Sequence, residues 1–202
     1  MNSCGGIVLC GGQSRRMGRP KALLPFGPEV MLQRVVRRLR EAAEPIVVVA
    51  AADQELPSLP GEIIVVRDER PDRGPLEGIA AGLRGLSGLA EAAFVTACDV
   101  PFLQPAFVRR VAGLLADHDA AVPHAEGFDQ PLSAAYRLSV LPAIDALLAA
   151  DRLRPVFLFD RVRTRRITPD ELAAADPELL SLMNTNTPEA YEAALAKAAQ
   201  ER

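Results

Sequence analysis

A glycine-rich, basic segment near the start of the chain has the composition of a phosphate-binding loop. The apolar residues 7–9 lead directly into the segment 10–21, which reads CGGQSRRMGRPK. Adjacent glycines such as Gly11 and Gly12 let backbone N–H groups converge on an anion, because no Cβ blocks the approach. The arginines and Lys21 would then neutralise the bound charge. The segment therefore predicts a loop that binds a triphosphate, and not merely a turn followed by solvated cations.

The spacing of this loop excludes two common phosphate-binding motifs. A Walker A loop needs four residues between its first glycine and the Gly-Lys-Ser/Thr triplet. The dinucleotide fingerprint needs a G-x-G-x-x-G spacing, whereas here Gly11 and Gly12 are followed by QSRR. The loop is therefore of another type.

The strongest candidate acid is Asp99, which follows the apolar segment 93–98 directly. A carboxylate at the end of a buried strand is well placed to hold Mg²⁺, which prefers hard oxygen ligands and shares them with phosphates. A turn or helix-cap aspartate is the structural alternative. The glycine loop in the same chain favours the metal role, with Lys21 acting as a point charge over the triphosphate.

Alternating apolar patterns indicate the elements that must position these residues. Residues 31–43 carry apolar side chains at helical spacing, and 46–49 is a run of β-branched residues typical of a buried strand. We predict strands at 7–9, 46–49, 63–66, 93–98, 120–123, 132–137 and 162–167, and helices at 31–43, 76–86, 105–116, 140–149 and 189–200. This alternation predicts an α/β fold in three layers, with a doubly wound, mostly parallel sheet.

In such a sheet, ligands bind at the carboxyl ends of the strands. Asp68 follows the strand 63–66, the segment 74–78 leads into a helix, and Asp99 follows the strand 93–98. We therefore expect these groups and the glycine loop to meet at one edge of the sheet.

Composition excludes several classes of protein. A net charge of −3 over 202 residues argues against general nucleic-acid binding. No apolar run is long enough for a membrane span, so no membrane partner is expected. The three cysteines form no C-x-x-C pair, which favours reduced thiols and a cytoplasmic location.

The pattern L-C-G-G-x-S-x-R-M-G-x-P-K resembles the signature of the molybdenum cofactor guanylyltransferases, within the nucleotidyltransferase superfamily. The segments GPLEG at 74–78, CDVP at 98–101 and NTNTPE at 184–189 resemble further motifs of that family. The resemblance implies the Rossmann-like nucleotidyltransferase fold. It also implies one domain over 1–202, with a nucleotide-binding half at 1–118 and an acceptor-binding half at 119–202.

The resemblance also implies roles for individual residues. The implied catalytic residues are Lys21, Arg16 and Asp99, with Asp99 as the metal ligand. The implied nucleotide-binding residues are Leu9, Cys10, Gly11, Gly12, Lys21, Asp68, Gly74, Pro75, Leu76, Gly78 and Asp99. The implied acceptor-binding residues are Gln130, Pro131, Asn184 and Asn186. One departure is that the family's asparagine after the second strand is missing from VAAAD at 49–53, which leaves base selection to backbone groups or Asp53.

The implied reaction is Mg²⁺-dependent transfer of GMP from GTP to the phosphate of molybdopterin or Mo-molybdopterin. Its products are the guanine dinucleotide cofactor and pyrophosphate. Transient contact with other cofactor-synthesis proteins or acceptor molybdoenzymes would follow. The alternatives are a sibling nucleotidyltransferase that uses CTP or another phosphorylated acceptor, and a catalytically silent nucleotide-binding protein.

Overall fold

A sheet with helices on both faces forms the framework of the protein. The computed structural model describes residues 4–11, 20–68, 70 and 73–200. The strands are β1 (Cys4–Leu9), β2 (Pro25–Phe26), β3 (Glu29–Val30), β4 (Ile46–Ala51), β5 (Ile64–Asp68), β6 (Ala92–Ala97), β7 (Ala120–Ala125), β8 (Phe128–Asp129), β9 (Ser133–Arg137) and β10 (Thr164–Ile167). The α-helices are α1 (Met31–Arg40), α2 (Gly74–Gly85), α3 (Pro105–Gly113), α4 (Leu141–Ala149), α5 (Pro169–Leu172) and α6 (Pro188–Gln200).

The main sheet has the order β10-β7-β9-β6-β1-β4-β5, and β8 pairs with β7. Strands β6, β1, β4 and β5 run parallel to one another. Strand β9 is antiparallel to both β6 and β7, and the edge strand β10 is parallel to β7. The predicted three-layer fold with a mostly parallel sheet is confirmed, and the strand predicted at 162–167 corresponds to the edge strand β10.

Both faces of the central strands are buried, which explains their continuous apolar runs. On β1, Ile7 packs into the layer that contains α2 and α4, whereas Val8 packs into the layer that contains α1 and α3. Neither side chain is exposed to solvent. Because successive strand residues point to opposite faces, one short segment contributes to both cores.

Helix α2 packs closely against β1 and β5 through its glycines. A Cβ built on Gly82 would be 2.5 Å from Cγ2 of Ile7, and one built on Gly85 would be 2.9 Å from Cγ2 of Val66. Side chains at these positions would therefore push the helix away from the sheet. This close approach brings the beginning of α2 beside the end of β1.

A small hairpin, β2–β3, packs beneath α6 and was absent from the sequence prediction. Its Phe26 lies in a third apolar cluster with Met31, Phe102 and Ala194. The hydroxyl of Tyr191 also donates a hydrogen bond to the carbonyl of Pro25. The hairpin directly follows the short 3₁₀ turn Lys21–Leu23 in the chain.

Across the described part of the chain, none of the helices has the length and apolar character that crossing a membrane requires.

Candidate active site

A cleft of about 770 Å³ opens at the carboxyl ends of the central parallel strands. This volume is within the usual range of about 300–1,000 Å³ for small-molecule sites. The walls come from the ends of β1, β4 and β6, the beginning of α2, and two later segments, 130–133 and 182–186. The first and second halves of the chain therefore both contribute to one cavity.

Lys21 and Asp99 meet in this cleft. Nζ of Lys21 lies 2.7 Å from Oδ2 of Asp99, and it also donates a hydrogen bond to Oδ1 of Asn186. Nδ2 of Asn186 donates in turn to Oδ1 of Asn184 at 2.6 Å. The side chains of Lys21 and Asp99 are only 21% and 10% exposed, so water weakens their attraction less than it would at the surface. Four residues from three distant parts of the chain form one polar network.

Thr185 fixes the backbone at Asp99. Its N–H donates to the carbonyl of Asp99 at 2.9 Å, and its hydroxyl donates to the same oxygen at 3.2 Å. Thr185 is fully buried. Sequence reasoning selected its neighbours Asn184 and Asn186 but missed Thr185. The sequence around Thr185 carries no periodic signal for this contact with a residue 86 positions away.

The end of β1 delivers Leu9, Cys10 and Gly11 to the cleft, as expected. A hydrogen bond with the Cys98 thiol raises the pKa of the Cys10 thiol well above its usual range, and burial and the charge of Asp99 raise it further. The Cys10 thiol therefore stays protonated, which does not suit a nucleophile. The predicted residues Gly12 and Arg16 lie outside the described residues.

On the side of α2, the cleft is lined by Asp68, Gly74, Pro75 and Gly78. The carboxylate of Asp68 accepts a hydrogen bond from the backbone N–H of Arg70 at 3.0 Å. Gly74 has a φ of +71°, a conformation that glycine adopts without strain.

Leu76 is a further predicted nucleotide-binding residue. Its side chain is fully buried in the core beneath α2 and is not among the residues that line the cleft. The motif position therefore serves the packing of the helix through its side chain.

The acceptor candidates Gln130 and Pro131 also line the cleft, together with Leu132 and Ser133. The preceding Asp129 is held by two partners: its Oδ1 lies 2.7 Å from Nδ1 of His124 and 3.2 Å from Nε of Arg166. These contacts fix the strand that leads into the cleft wall.

Arg73 is a lining residue that sequence reasoning missed. Its Nη2 donates to the carbonyl of Leu148 at 2.6 Å, and its Nε lies 3.6 Å from Oε2 of the buried Glu77. It thus joins the beginning of α2 to the end of α4. Its position directly before the GPLEG segment was the sequence feature that could have indicated a place in the cleft. Ala51 also lines the cleft, whereas the exposed Asp53 does not.

Comparison with known proteins agrees with this geometry. A family model described as the MobA-like NTP transferase domain matches residues 6–164. The chain is 35% identical over 198 residues to the molybdenum cofactor guanylyltransferase of Desulfosudis oleivorans, a match that covers 97% of this chain and 96% of that protein.

Two solved structures have the same fold. Molybdopterin-guanine dinucleotide biosynthesis protein A from Archaeoglobus fulgidus matches with a TM-score of 0.81 at 22% identity, over 97% of this chain and 99% of that chain. The 2-C-methyl-D-erythritol 4-phosphate cytidylyltransferase from Thermus thermophilus matches with a TM-score of 0.67 at 16% identity, over 98% and 99% of the two chains. At these identities the likeness concerns the fold alone.

The family resemblance read from the glycine loop is therefore confirmed. The chain belongs to the MobA-like NTP transferase family and is a nucleotidyltransferase.

Proposed function

We propose that this protein transfers GMP from GTP to the phosphate of molybdopterin or Mo-molybdopterin, with release of pyrophosphate. The observation that carries the proposal is the contact between Lys21 and Asp99 in a cleft lined by both halves of the chain. The name of the Desulfosudis relative supports the choice of nucleotide and acceptor.

The two ends of the cleft suit two different substrates. Asp68, beside the beginning of α2, is an acceptor-only group that can bind the N–H edge of guanine or the ribose hydroxyls. Gln130 follows β8, on the other side of β6 and β1 from Asp68, and it offers an amide donor and acceptor, as do Asn184 and Asn186 beside Lys21. We assign the first group to the nucleotide and the second to the molybdopterin phosphate and pterin.

The chemistry needs alignment and charge neutralisation from the protein. The acceptor phosphate is itself the nucleophile, so no protein base or covalent intermediate is required. Lys21 would offset negative charge on the phosphates, and a preorganised cation of this kind acts without reorganisation during reaction. Asp99 and Asn186 keep the ammonium group of Lys21 directed into the cleft.

The donor set in the cleft fits Mg²⁺. The Asp99 carboxylate and the amide oxygens of Asn184 and Asn186 are hard oxygen donors. Within the described ranges no group of three or more His, Cys, Asp or Glu residues could hold a metal. Mg²⁺ needs only one or two carboxylates where phosphates supply further oxygens. Bound at Asp99, it would supply positive charge against the phosphate oxygens.

The proposal includes a cytoplasmic location, which agrees with the three free cysteines. It also includes transient contact with other cofactor-synthesis proteins or acceptor molybdoenzymes, because the product is a cofactor that another protein must receive.

The decisive experiment incubates the purified protein with molybdopterin, Mg²⁺ and GTP, ATP, CTP or UTP in turn. We expect pyrophosphate and the mass of the guanine dinucleotide with GTP. A product with CTP alone would identify a sibling cytidylyltransferase instead. Binding of GTP without pyrophosphate release from any acceptor would identify a silent nucleotide-binding protein. The Asp99→Ala variant serves as the inactive control.

A further inference from the structure

The side chain of Gln54 replaces one rung of the ladder between β1 and β4. The ladder pairs Leu9 with Val49, and the N–H of Cys10 then donates to the carbonyl of Val49 at 2.8 Å. In a regular parallel ladder the next bond would run from the N–H of Ala51 to the carbonyl of Cys10. Instead, Ala51 donates to Oε1 of Gln54 at 3.1 Å, and Nε2 of Gln54 donates to the Cys10 carbonyl at 3.2 Å.

This inserted amide lies where the strands become the walls of the cleft. Cys10 opens the glycine loop, and both Gly11 and Ala51 line the cavity. The backbone at Gly11 passes close to Ala51, since a Cβ built on Gly11 would lie 3.8 Å from the Ala51 nitrogen. The position of the Gln54 amide therefore sets the spacing between Gly11 and the neighbouring wall at Ala51.

The backbone around Gln54 is itself held in place. Its N–H donates to the carbonyl of Ala51 at 3.1 Å, which closes the turn after β4. Nη1 of Arg67 donates to the carbonyls of Ala51 and Gln54 at 3.0 and 2.7 Å. With the turn fixed by β5, the side-chain amide is preorganised to bridge the two strand ends.

We propose that Gln54 is a positioning residue for the nucleotide, acting through the backbone of Cys10, Gly11 and Ala51. The inference rests on the proposed function. Ala51 has no polar side chain, so a nucleotide at this wall of the cleft would contact backbone groups. Gln54 determines the position of those backbone groups. A shift in that backbone would weaken nucleotide binding and leave the acceptor side untouched.

The test replaces Gln54 by Met, which has a similar length but cannot make the two hydrogen bonds. Gln33→Met is the matched control, because the Gln33 amide makes the same pair of bonds, from the N–H of Val30 at 3.1 Å and to the carbonyl of Ser58 at 2.9 Å. Gln33 does not line the cleft. Isothermal titration with GTP and Mg²⁺ gives the Kd, and steady-state kinetics gives KM for GTP and for molybdopterin.

We expect Gln54→Met to raise the Kd and KM for GTP about tenfold, the effect of losing one or two hydrogen bonds that hold the site. The KM for molybdopterin should not change, and Gln33→Met should leave all three constants unchanged. Gln54→Glu keeps the acceptor for Ala51 but loses the donor to Cys10, so it should also weaken GTP binding and serves if the Met variant does not fold.

A GTP Kd equal to that of the unaltered protein in both Gln54 variants would overturn the inference. An equal increase in the KM for GTP and in the KM for molybdopterin would also overturn it. If the unaltered protein bound no GTP, the proposed function would fail instead, so the two failures are distinguishable.

Discussion

The ammonium group of Lys21 lies 2.7 Å from Oδ2 of Asp99, although 78 positions separate the two residues in the chain. Lys21 comes from the turn before β2, and Asp99 follows β6 at the centre of the sheet. Each side chain is mostly shielded from water, so removing one leaves the other as a poorly solvated charge. The pair brings a cation and a carboxylate together at the strand ends where nucleotides bind in sheets of this kind.

The first prediction concerns this pair. Lys21→Ala and Asp99→Ala should each lower the rate of guanylyl transfer by ~10²–10³, because each removes a preorganised charge from the site. Lys197→Ala is the matched control, since Lys197 pairs with Glu178 at 2.9 Å on the surface. Its activity should be unchanged. Near-normal turnover by a folded Asp99 or Lys21 variant would contradict their assigned roles.

The second prediction separates the two ends of the cleft. Asp68→Ala should raise the KM for GTP, and Gln130→Ala should raise the KM for molybdopterin, each about tenfold for the loss of hydrogen bonds to substrate. Each variant should leave the other KM unchanged. Initial rates measured while one substrate is varied at saturating levels of the other give both constants. A reversed pattern would mean that the two substrate sites are assigned the wrong way round.

The third prediction concerns the contact between α2 and β1. Gly82→Ala should lower the free energy of unfolding by ~1–3 kcal/mol, because the new methyl group would overlap the stiff β-branched side chain of Ile7. Gly113→Ala makes the same change at the exposed end of α3, where a Cβ meets no atom within 4 Å. That control should be neutral or stabilising by up to about 1 kcal/mol. Urea unfolding of both variants measures the difference, and equal stabilities would contradict the packing argument.

The fourth prediction concerns stability in alkali. Burial raises the pKa of Tyr136 above its ordinary value of about 10, and the charge of Asp129 raises it further. The phenol is fully buried and donates to the carbonyl of Pro131 at 2.8 Å. The contribution of this raised pKa to the free energy of unfolding is therefore complete below pH ~10. It is lost at higher pH, because the unfolded chain releases the tyrosine proton first.

The free energy of unfolding should fall as pH rises above ~10, and it should fall less steeply in Tyr136→Phe. At neutral pH the free energy of unfolding of that variant should be about 1 kcal/mol lower, because the hydrogen bond to Pro131 is missing. Tyr191→Phe is the comparison, because burial also raises the pKa of Tyr191 but this second tyrosine is only half-buried, so its removal should change the slope less than Tyr136→Phe does. Urea unfolding across this pH range gives the slopes, and identical slopes for all three proteins would refute the prediction.

Periodic apolar patterns in the sequence predicted the regular strands and helices. Runs such as 46–49 indicated the buried strands, and the positions of Asp68 and Asp99 at the carboxyl ends of predicted strands indicated that both would lie at one edge of the sheet. The hairpin of β2 and β3 escaped prediction because two-residue strands are too short to show alternation. Leu76 could have been assigned to the core, since it begins a helical stripe with Ile79 and Leu83.

Contacts between distant side chains and the backbone were beyond prediction. Nothing local indicates that Thr185 donates to the carbonyl of Asp99, or that Gln54 stands between two strands. Such bonds depend on the final packing of elements that are far apart in the chain, and a single sequence has no periodic signal for them.

The bond from Lys21 to Asn186 spans 165 residues. During synthesis on the ribosome, the lysine leaves the exit tunnel long before its asparagine partner has been translated. The helix that packs on the early hairpin is made later still. The polar network around Lys21 can therefore form only after all the strands of the sheet have been synthesised.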